Sequence, residues 1–510
     1  MTSISSMGAP GLPMPSSSAG RAAPPRVEPR LPQPPAPSPA TTQVTLDGGA
    51  AAANELVYAK PKAAEPAPLF ARTRSWATAA QRGDEIGGLM ARNVDGRTAK
   101  GGLADSWRGL GGALLARFAA TPANYRQTLV DTQAPQAPGG PAGTSTEAID
   151  AQLPDLDQPD ATQVSLKIQT RSGQTVALKI SMSRTEGDAG GEGLQVEIAG
   201  SGPLEQDERE ALAKLADGLD RALEGLGHPE RPQLDLAGLM KAYDGKALTG
   251  LELSIRNPKP QQALESFSLS LGAERKALAL KGGAGEVALN LDLSTPLRTT
   301  DPQQRQAAIQ QHLRQFDAAA QRSRADAGLV ALFKDAFAQM HGAAAPPEQP
   351  AAADDALGDP ALARQLQPLH SGLQDFQASF GGDFKKTTER GAINEIGRAD
   401  YTLSQKTTVR RQGGAGEMSI TQERSEQLDA HSLKSRFGGM LDTSSGNYDI
   451  RKVKDSLSTT TLIERTKDQP LRALRKTEQQ QLETREALEN HRVTERSSLP
   501  ATRNFLERLR

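Results

Sequence analysis

The chain has 510 residues, of which only 36% are hydrophobic and 4% aromatic, with 48 Gly and 34 Pro. Such a composition cannot offset chain entropy by burial throughout, so ordered islands joined by unstructured stretches are expected. Cysteine is absent, which excludes disulfide staples, thiolate metal sites and cysteine nucleophiles. The net charge of -1 hides a gradient: +5 over residues 1–140, -8 over 141–300, -4 over 301–383 and +6 over 384–510. The last part holds 24 Lys and Arg against 18 Asp and Glu, interspersed rather than blocked. That is the pattern of a solvated mixed surface, where a phosphate-binding stripe would be one-sided.

Residues 1–70 are rich in Pro, Ala and Ser. The stretch "PPRVEPRLPQPPAPSPA" favours extended, polyproline-like conformations and offers nothing to pack, so a disordered leader is expected. The beginning, "MTSISSMGAPGLPMPSSSAGRAAPP", lacks the basic start and the apolar core of about 7–15 residues of a Sec-type signal. No run approaches the roughly 18 apolar residues of a membrane helix. A soluble chain is expected, either cytoplasmic or exported without a cleaved leader. In composition, these first several dozen residues resemble the disordered export leaders of type III and flagellar substrates. The resemblance implies leaderless export from a bacterium.

Residues 71–133 predict a small helical unit. Trp107, Leu110, Leu114, Leu115 and Phe118 recur at helical spacing. Tyr125, Leu129 and Val130 read as a second short helix beyond Pro122. Interior glycines in "GRTAKGG" and "RGLGG" weaken the unit by about 1 kcal/mol each, so it should pack on something else. Residues 134–161 read as a linker.

Residues 162–341 predict an ordered α+β domain. In "QVSLKIQTRSGQTVALKISM", Val164, Leu166 and Ile168 share one face, as do Val176, Leu178, Ile180 and Met182 beyond the turn "RSGQ". That is a hairpin with one buried face. "LQVEIAG" adds Leu194, Val196 and Ile198. A helix near 204–226 follows, with Leu212, Leu215, Leu219, Leu223 and Leu226 in one stripe, acidic residues at its start and Gly227 at its stop. A short helix started by Asp235 is expected next. Four alternating runs follow, centred on Leu253, Leu269, Leu280 and Leu289. Alternation implies antiparallel strands with one solvated face and helices over the other. Beyond them, Asp301 as cap and Pro302 at the first position start a helix carrying Ile309, Leu313 and Phe316. A second stripe, from Leu329 to Met340, continues it.

Residues 342–360 read as another linker, and 361–510 as a polar, elongated region of strands and helix. Leu373, Phe376, Phe380 and Phe384 suggest a short packed segment. "YTLSQKTTVRRQ", "EMSITQERSEQ" and "STTTLIERTK" fit extended solvated strands, a long ribbon, or segments that order on a partner. "TTVRRQ", "SITQERS" and "TLIERTK" are faintly alike without fixed spacing, so no repeat is assigned. "PLRALRKTEQQQLETREALENHRV" is helix-prone, but Leu471, Leu474, Leu482 and Leu488 are too sparse for a coiled-coil seam. A surface or partner-docked helix is expected there.

The sequence carries no recognisable catalytic or metal-binding motif. His228, His312, His341, His370, His431 and His491 include no pair at helix-turn spacing, and His312 and His341 are expected at a surface or interface. Asp155, Asp157 and Asp160 glance at a calcium loop, but Pro159 takes the fifth position and Leu166 stands where a bidentate Glu belongs. "EGDAGGEG" and "KGGAGE" read as hairpin joints, because neither carries the G-K-[ST] ending of a phosphate loop. Asp207 and Glu208 read as a solvated helix start. Trp107 falls on an apolar helix face, which makes it core rather than a base-stacking platform.

No catalytic residue, cofactor site or metal site is assigned, and the inventory points away from an enzyme. The reading is a non-enzymatic interaction or structural protein whose partner is another protein, within which an exported surface- or flagellum-associated bacterial factor is one form. One alternative is a ligand-binding or enzymatic site within 162–341. The other is nucleic-acid association through the basic C-terminal region, a less favoured reading.

Overall fold

A computed structural model describes residues 76–78, 84–95, 102–131, 161–184, 192–243, 245–258, 263–294, 301–342, 362, 365–411, 417–466 and 471–509. The chain divides into two units, residues 1–71 and 72–510, and the first lies outside the described residues together with the expected Pro-rich leader.

The described residues of the second unit build one antiparallel sheet with helices. Its first nine strands are β1 (Trp76–Thr78), β2 (Tyr125–Asp131), β3 (Thr162–Thr170), β4 (Thr175–Arg184), β5 (Glu192–Gly200), β6 (Leu248–Arg256), β7 (Leu264–Leu271), β8 (Arg275–Gly282) and β9 (Gly285–Asp292). Six more follow: β10 (Asp375–Thr387), β11 (Ile393–Arg411), β12 (Met418–Ser435), β13 (Tyr448–Arg465), β14 (Arg472–Glu489) and β15 (Arg492–Arg508). Their order is β1-β2-β5-β4-β3-β6, and from β6 a plain meander runs to β15.

The alternation in 162–182 forms the expected hairpin. Val164 pairs with Ile180, Leu166 with Leu178 and Ile168 with Val176, and all six side chains are buried. Gly173 turns the chain with φ of 82°, a conformation in which a side chain would be strained. β6 to β9 repeat the pattern, with Leu253, Leu269, Leu278 and Leu289 inward and charged or small residues outward.

Helices cover the apolar face. α1 (Glu85–Asp95), α2 (Gly102–Trp107) and α3 (Leu110–Ala120) precede β2. α4 (Gln206–Leu226) follows β5, α5 (Ala237–Ala242) precedes β6, and α6 (Pro302–Ser323) and α7 (Ala327–Gly342) follow β9. Trp107 is buried and donates its indole N–H to the Leu223 carbonyl at 3.0 Å, while the Gly112 amide donates to Asp220 at 2.8 Å. The small N-terminal helices therefore pack on α4. A Cβ on Gly112 would collide with the Asp220 carboxylate, so this close approach requires glycine. Asp301 caps α6 by accepting from the Gln303 amide at 2.9 Å, with Pro302 in the first turn.

The structure corrects several expectations. Tyr125 and Leu129 lie on strand β2, paired with β5, because the segment finds a partner edge instead of an apolar groove. Leu236, not Asp235, occupies the cap position of α5. The helix-prone stretch 472–489 is strand β14. Its backbone completes ladders with β13 and β15, and this long-range pairing overrides a local propensity worth only tenths of a kcal/mol per residue. The three faintly similar polar stretches are neighbouring strands in register. Val409 pairs with Ile420 and Ile420 with Ile463, so the apolar position of each stretch meets the next across the ladder.

β9 pairs with β10 from Glu286–Gly381 to Asp292–Asp375, so one sheet holds strands from both the central and the C-terminal regions. At this junction Phe316 and Phe333 meet with ring centroids 4.6 Å apart, Phe337 and Phe376 at 5.2 Å, and Phe380 stacks on Tyr401 at 5.3 Å. A second, smaller core joins Leu362, Leu366 and Leu369 to Met418, Ile420, Ile463 and Ala473.

Candidate interaction surface

Beyond the aromatic junction the sheet changes character. β11 to β15 are 17–19 residues long, whereas β3 to β9 have 8–10. Past β12 the apolar part of the inward face shrinks. β11 buries Ala399, Tyr401 and Leu403 and β12 buries Met418, Ile420, Leu428 and Ala430, but β13 buries Val453, Thr461 and Ile463, and β14 only Ala473, Glu483 and Ala487. β15 is exposed along its whole length.

On β14 the usual pattern is inverted. Glu483 lies inside at 5% exposure, while Leu474 and Leu482 face solvent. Glu483 is held there by three arginines. Arg451 donates to both its oxygens at 2.9 and 3.0 Å, Arg485 donates at 2.7 Å, and Arg322 reaches it from α6 at 2.9 Å. Arg322 also meets Asp455 at 2.6 Å, and Arg451 caps the Arg322 carbonyl at 2.8 Å. The Arg451 hydrogen bonds outweigh burial and hold the Glu483 carboxyl down at about 2. This cluster ties the end of α6 to β13 and β14 with charge where the rest of the sheet uses apolar packing.

A groove of about 910 Å³ opens beside it, with Arg324, Arg436, Arg451, Arg485, Arg496 and Lys434 among its lining residues. Six cations would suit an anion, yet the arginines are already matched. Arg324 pairs with Glu395 at 2.6 Å, Arg436 with Asp449, Glu489 and Glu495 at 3.0–3.3 Å, and Arg496 with Glu486 at 2.5 Å. Lys434 stands opposite Asp449 in the ladder. The groove is a balanced ion-pair lattice, and it has little positive charge left for a phosphate backbone. A smaller cavity of about 260 Å³ lies between α6 and the strands, lined by Ala318, Arg322, Glu426, Leu457, Gln479 and Gln481 among others. Phe437 and Met440 stand 73% and 70% exposed on the loop between β12 and β13.

The residues singled out in the sequence fall elsewhere. His312 and His341 are buried, at 2% and 0% exposure, which corrects the surface expectation. Helical spacing placed them on α6 and α7 but could not show that His312 packs on Phe316, Phe337 and Phe376, and His341 on Phe337 and Phe376. Burial lowers both to about 3, with the Arg424 charge adding for His312 and the His312 charge for His341. His370, lowered by burial to about 4, accepts from the Gly372 amide at 2.9 Å. His431 and His491 are exposed on β12 and in the turn before β15.

Glu208 corrects another expectation, since its side chain is buried rather than solvated. It accepts from the Ser172 amide at 2.8 Å, the Ser172 hydroxyl at 3.1 Å and the Glu205 amide at 2.9 Å. Burial acts to raise this carboxyl, but these bonds prevail and lower it. It locks the β3–β4 turn to the start of α4, a structural task. Asp207 is exposed and pairs with Arg171 at 2.7 Å. Asp155, Asp157 and Asp160 and most of "EGDAGGEG" lie outside the described residues, while "KGGAGE" forms the β8–β9 turn as expected of a hairpin joint.

Among the described residues no cluster of three or more His, Asp or Glu is placed to hold a metal ion. No helix of these residues is long and apolar enough to cross a membrane. The exposed strand β15 was missed in the sequence; Pro500 within a polar run was the signal that could have marked an edge. Comparison of the chain with protein-family models, with curated proteins and with solved structures finds no match.

Proposed function

We propose that this is a non-enzymatic interaction or structural protein that uses its C-terminal sheet, β12 to β15, to hold another protein. The observation that carries the reading is β15, a strand of 17 residues exposed along its full length at the end of a sheet whose central strands are covered by helices. A long exposed edge is a standing liability for aggregation, and most proteins shorten or cover it. Its neighbour β14 spends two leucines on solvent, and the adjoining groove is held open by matched charges instead of being closed by a core. The form of the proposal in which the protein is an exported bacterial surface- or flagellum-associated factor rests on the composition of the leader alone.

The test places a photo-crosslinking side chain at Gln480, Ser498 or Asn504 on the exposed outer strands, and at Glu252 or Ser268 on the solvated face of β6 and β7. Adducts of defined mass are expected from the first group in cells that make the protein, and none from the second. Equal labelling at both places, or none at either, would overturn the reading. Fractionation of the same cells with a C-terminal tag, with the N-terminus read by mass spectrometry, tests export. An intact chain outside the cell supports it, and confinement to the cytosol removes it.

A further inference from the structure

The hydrogen-bond register of β15 says which of its backbone groups are free. The Leu509 amide donates to the Ala473 carbonyl at 2.8 Å, and Arg508 stands opposite Leu474. Antiparallel pairs alternate between bonded and non-bonded, so from Leu509 back to Glu495 the odd-numbered residues bond to β14. The even-numbered residues then point their N–H and C=O groups outward: Arg496, Ser498, Thr502, Asn504, Leu506 and Arg508. Pro500, opposite Leu482, falls in this outward set. The Leu482 amide turns toward β13, where it meets Asp455 at 3.3 Å, as this register requires. Pro500 therefore costs the β14 ladder nothing, and it removes one donor from the free edge.

The charges left over on the strand have one sign. Glu495 pairs inward with Arg436, Glu507 with Arg475, and Arg496 with Glu486. Among the described residues no carboxylate lies within ion-pair reach of Arg492, Arg503 or Arg508. Leu499 and Phe505 project on the same side as Glu483 and Thr477, at 57% and 56% exposure, and Leu506 projects on the other at 73%. A second copy is a poor match. Full antiparallel overlap of two β15 strands, centred on Pro500, would set Arg492 against Arg508 at both ends and the two prolines face to face.

We propose that the free edge of β15 receives an extended acidic strand of a partner protein. The partner's backbone bonds to the outward groups on either side of Pro500, its carboxylates meet Arg492, Arg503 and Arg508, and its apolar residues lie beside Leu499, Phe505 and Leu506. This rests on the interaction reading above and names the partner's chemistry.

The test uses the full chain with a synthetic peptide of about twelve residues built of Glu-Glu-Val-Thr repeats, which places carboxylates on both faces of the strand as Arg503 and Arg508 require, and the same peptide with Lys for Glu. The Glu peptide is expected to bind at least about tenfold more tightly and to slow hydrogen exchange at Ser498, Thr502, Asn504 and Leu506. The double variant Thr502→Pro/Leu506→Pro removes two more outward donors and should abolish binding while the Ala501 and Phe505 amides stay protected. Should those two amides lose protection, Arg503→Glu/Arg508→Glu decides instead and is expected to reverse the preference between the peptides. Equal binding of the two peptides, or binding indifferent to both variants, would sink the proposal. So would a dimer of the free chain that the prolines abolish, which would make the occupant a second copy. Absence of peptide binding alongside crosslinks at Ser498 and Asn504 would remove strand addition and leave the interaction reading standing.

Discussion

β3 to β9 and β11 to β15 belong to one sheet and share one hydrogen-bonding scheme, yet different forces hold them. In the first group every strand sends aliphatic side chains such as Leu166, Leu253 and Leu289 into a core closed by α4, α6 and α7. In the second the inward face mixes fewer apolar residues with Thr, Gln and Glu, and toward β14 paired charges stand where methyl groups pack elsewhere. Backbone ladders extend a sheet well past its hydrophobic core, provided that inward polar groups find partners. The outer strands then keep exposed surface for other uses, at the cost of depending on charge.

The largest effect is expected in the apolar core. Phe333, fully buried between Phe316, Phe380 and Tyr401, is expected to cost about 3–5 kcal/mol on Phe333→Ala, read from urea unfolding. Next comes the charged counterpart. Glu483→Gln leaves Arg322, Arg451 and Arg485 crowded without their shared carboxylate and is expected to cost about 3 kcal/mol. Loss of protection confined to β13–β15 in hydrogen exchange would locate the damage. If this change were neutral, the ion cluster would not be what holds the outer strands.

Acid acts on the two regions in different pH windows. The unfolded chain binds protons on histidine below about pH 6.5, whereas buried His312 and His341 resist until about 3. Their folded values are depressed, so the stability they contribute is full above pH 6.5 and declines as pH falls from there toward 3. Glu483 is depressed from about 4.5 to about 2, so its contribution is present above 4.5 and lost as pH falls through 2. His312→Leu should flatten the urea midpoint between pH 6.5 and 4.5, and Glu483→Gln should flatten it below 4.5. The smallest effect belongs to the solvent face of β14. Leu474→Ser and Leu482→Ser are expected to shift stability by no more than about 0.5 kcal/mol, in contrast to any aliphatic residue of β3.

Much of the central region was legible from periodicity. Val164 to Met182 alternate with a glycine-bearing turn between them, and that fixes both the hairpin and its inner face. Asp301 and Pro302 mark the start of α6 by local chemistry that needs no distant partner. His312 and His341 were misplaced because helical spacing says which face a side chain takes but not what packs on it. The candidate surface was the least legible part. Leu474 and Leu482 in β14 suggest a sparse helix, and Glu483 between two outward-facing residues gives no hint of three arginines converging on it from Arg322, Arg451 and Arg485. Those arginines come from positions up to 161 residues away.

Short-range features follow from local sequence: the alternating strands of the central region, the helix starts at Asp301 and within 204–208, and the lack of thiol chemistry. Each depends on neighbours a few positions apart, where sterics and periodicity act directly. The tertiary structure alone decided that β9 would pair with β10, that residues 472–508 would be strands, that Glu483 would be buried, and that Pro500 would face outward on a free edge. Those outcomes depend on which backbone groups found partners far along the chain, and a propensity of a few tenths of a kcal/mol per residue yields to a ladder of sixteen paired residues between β13 and β14.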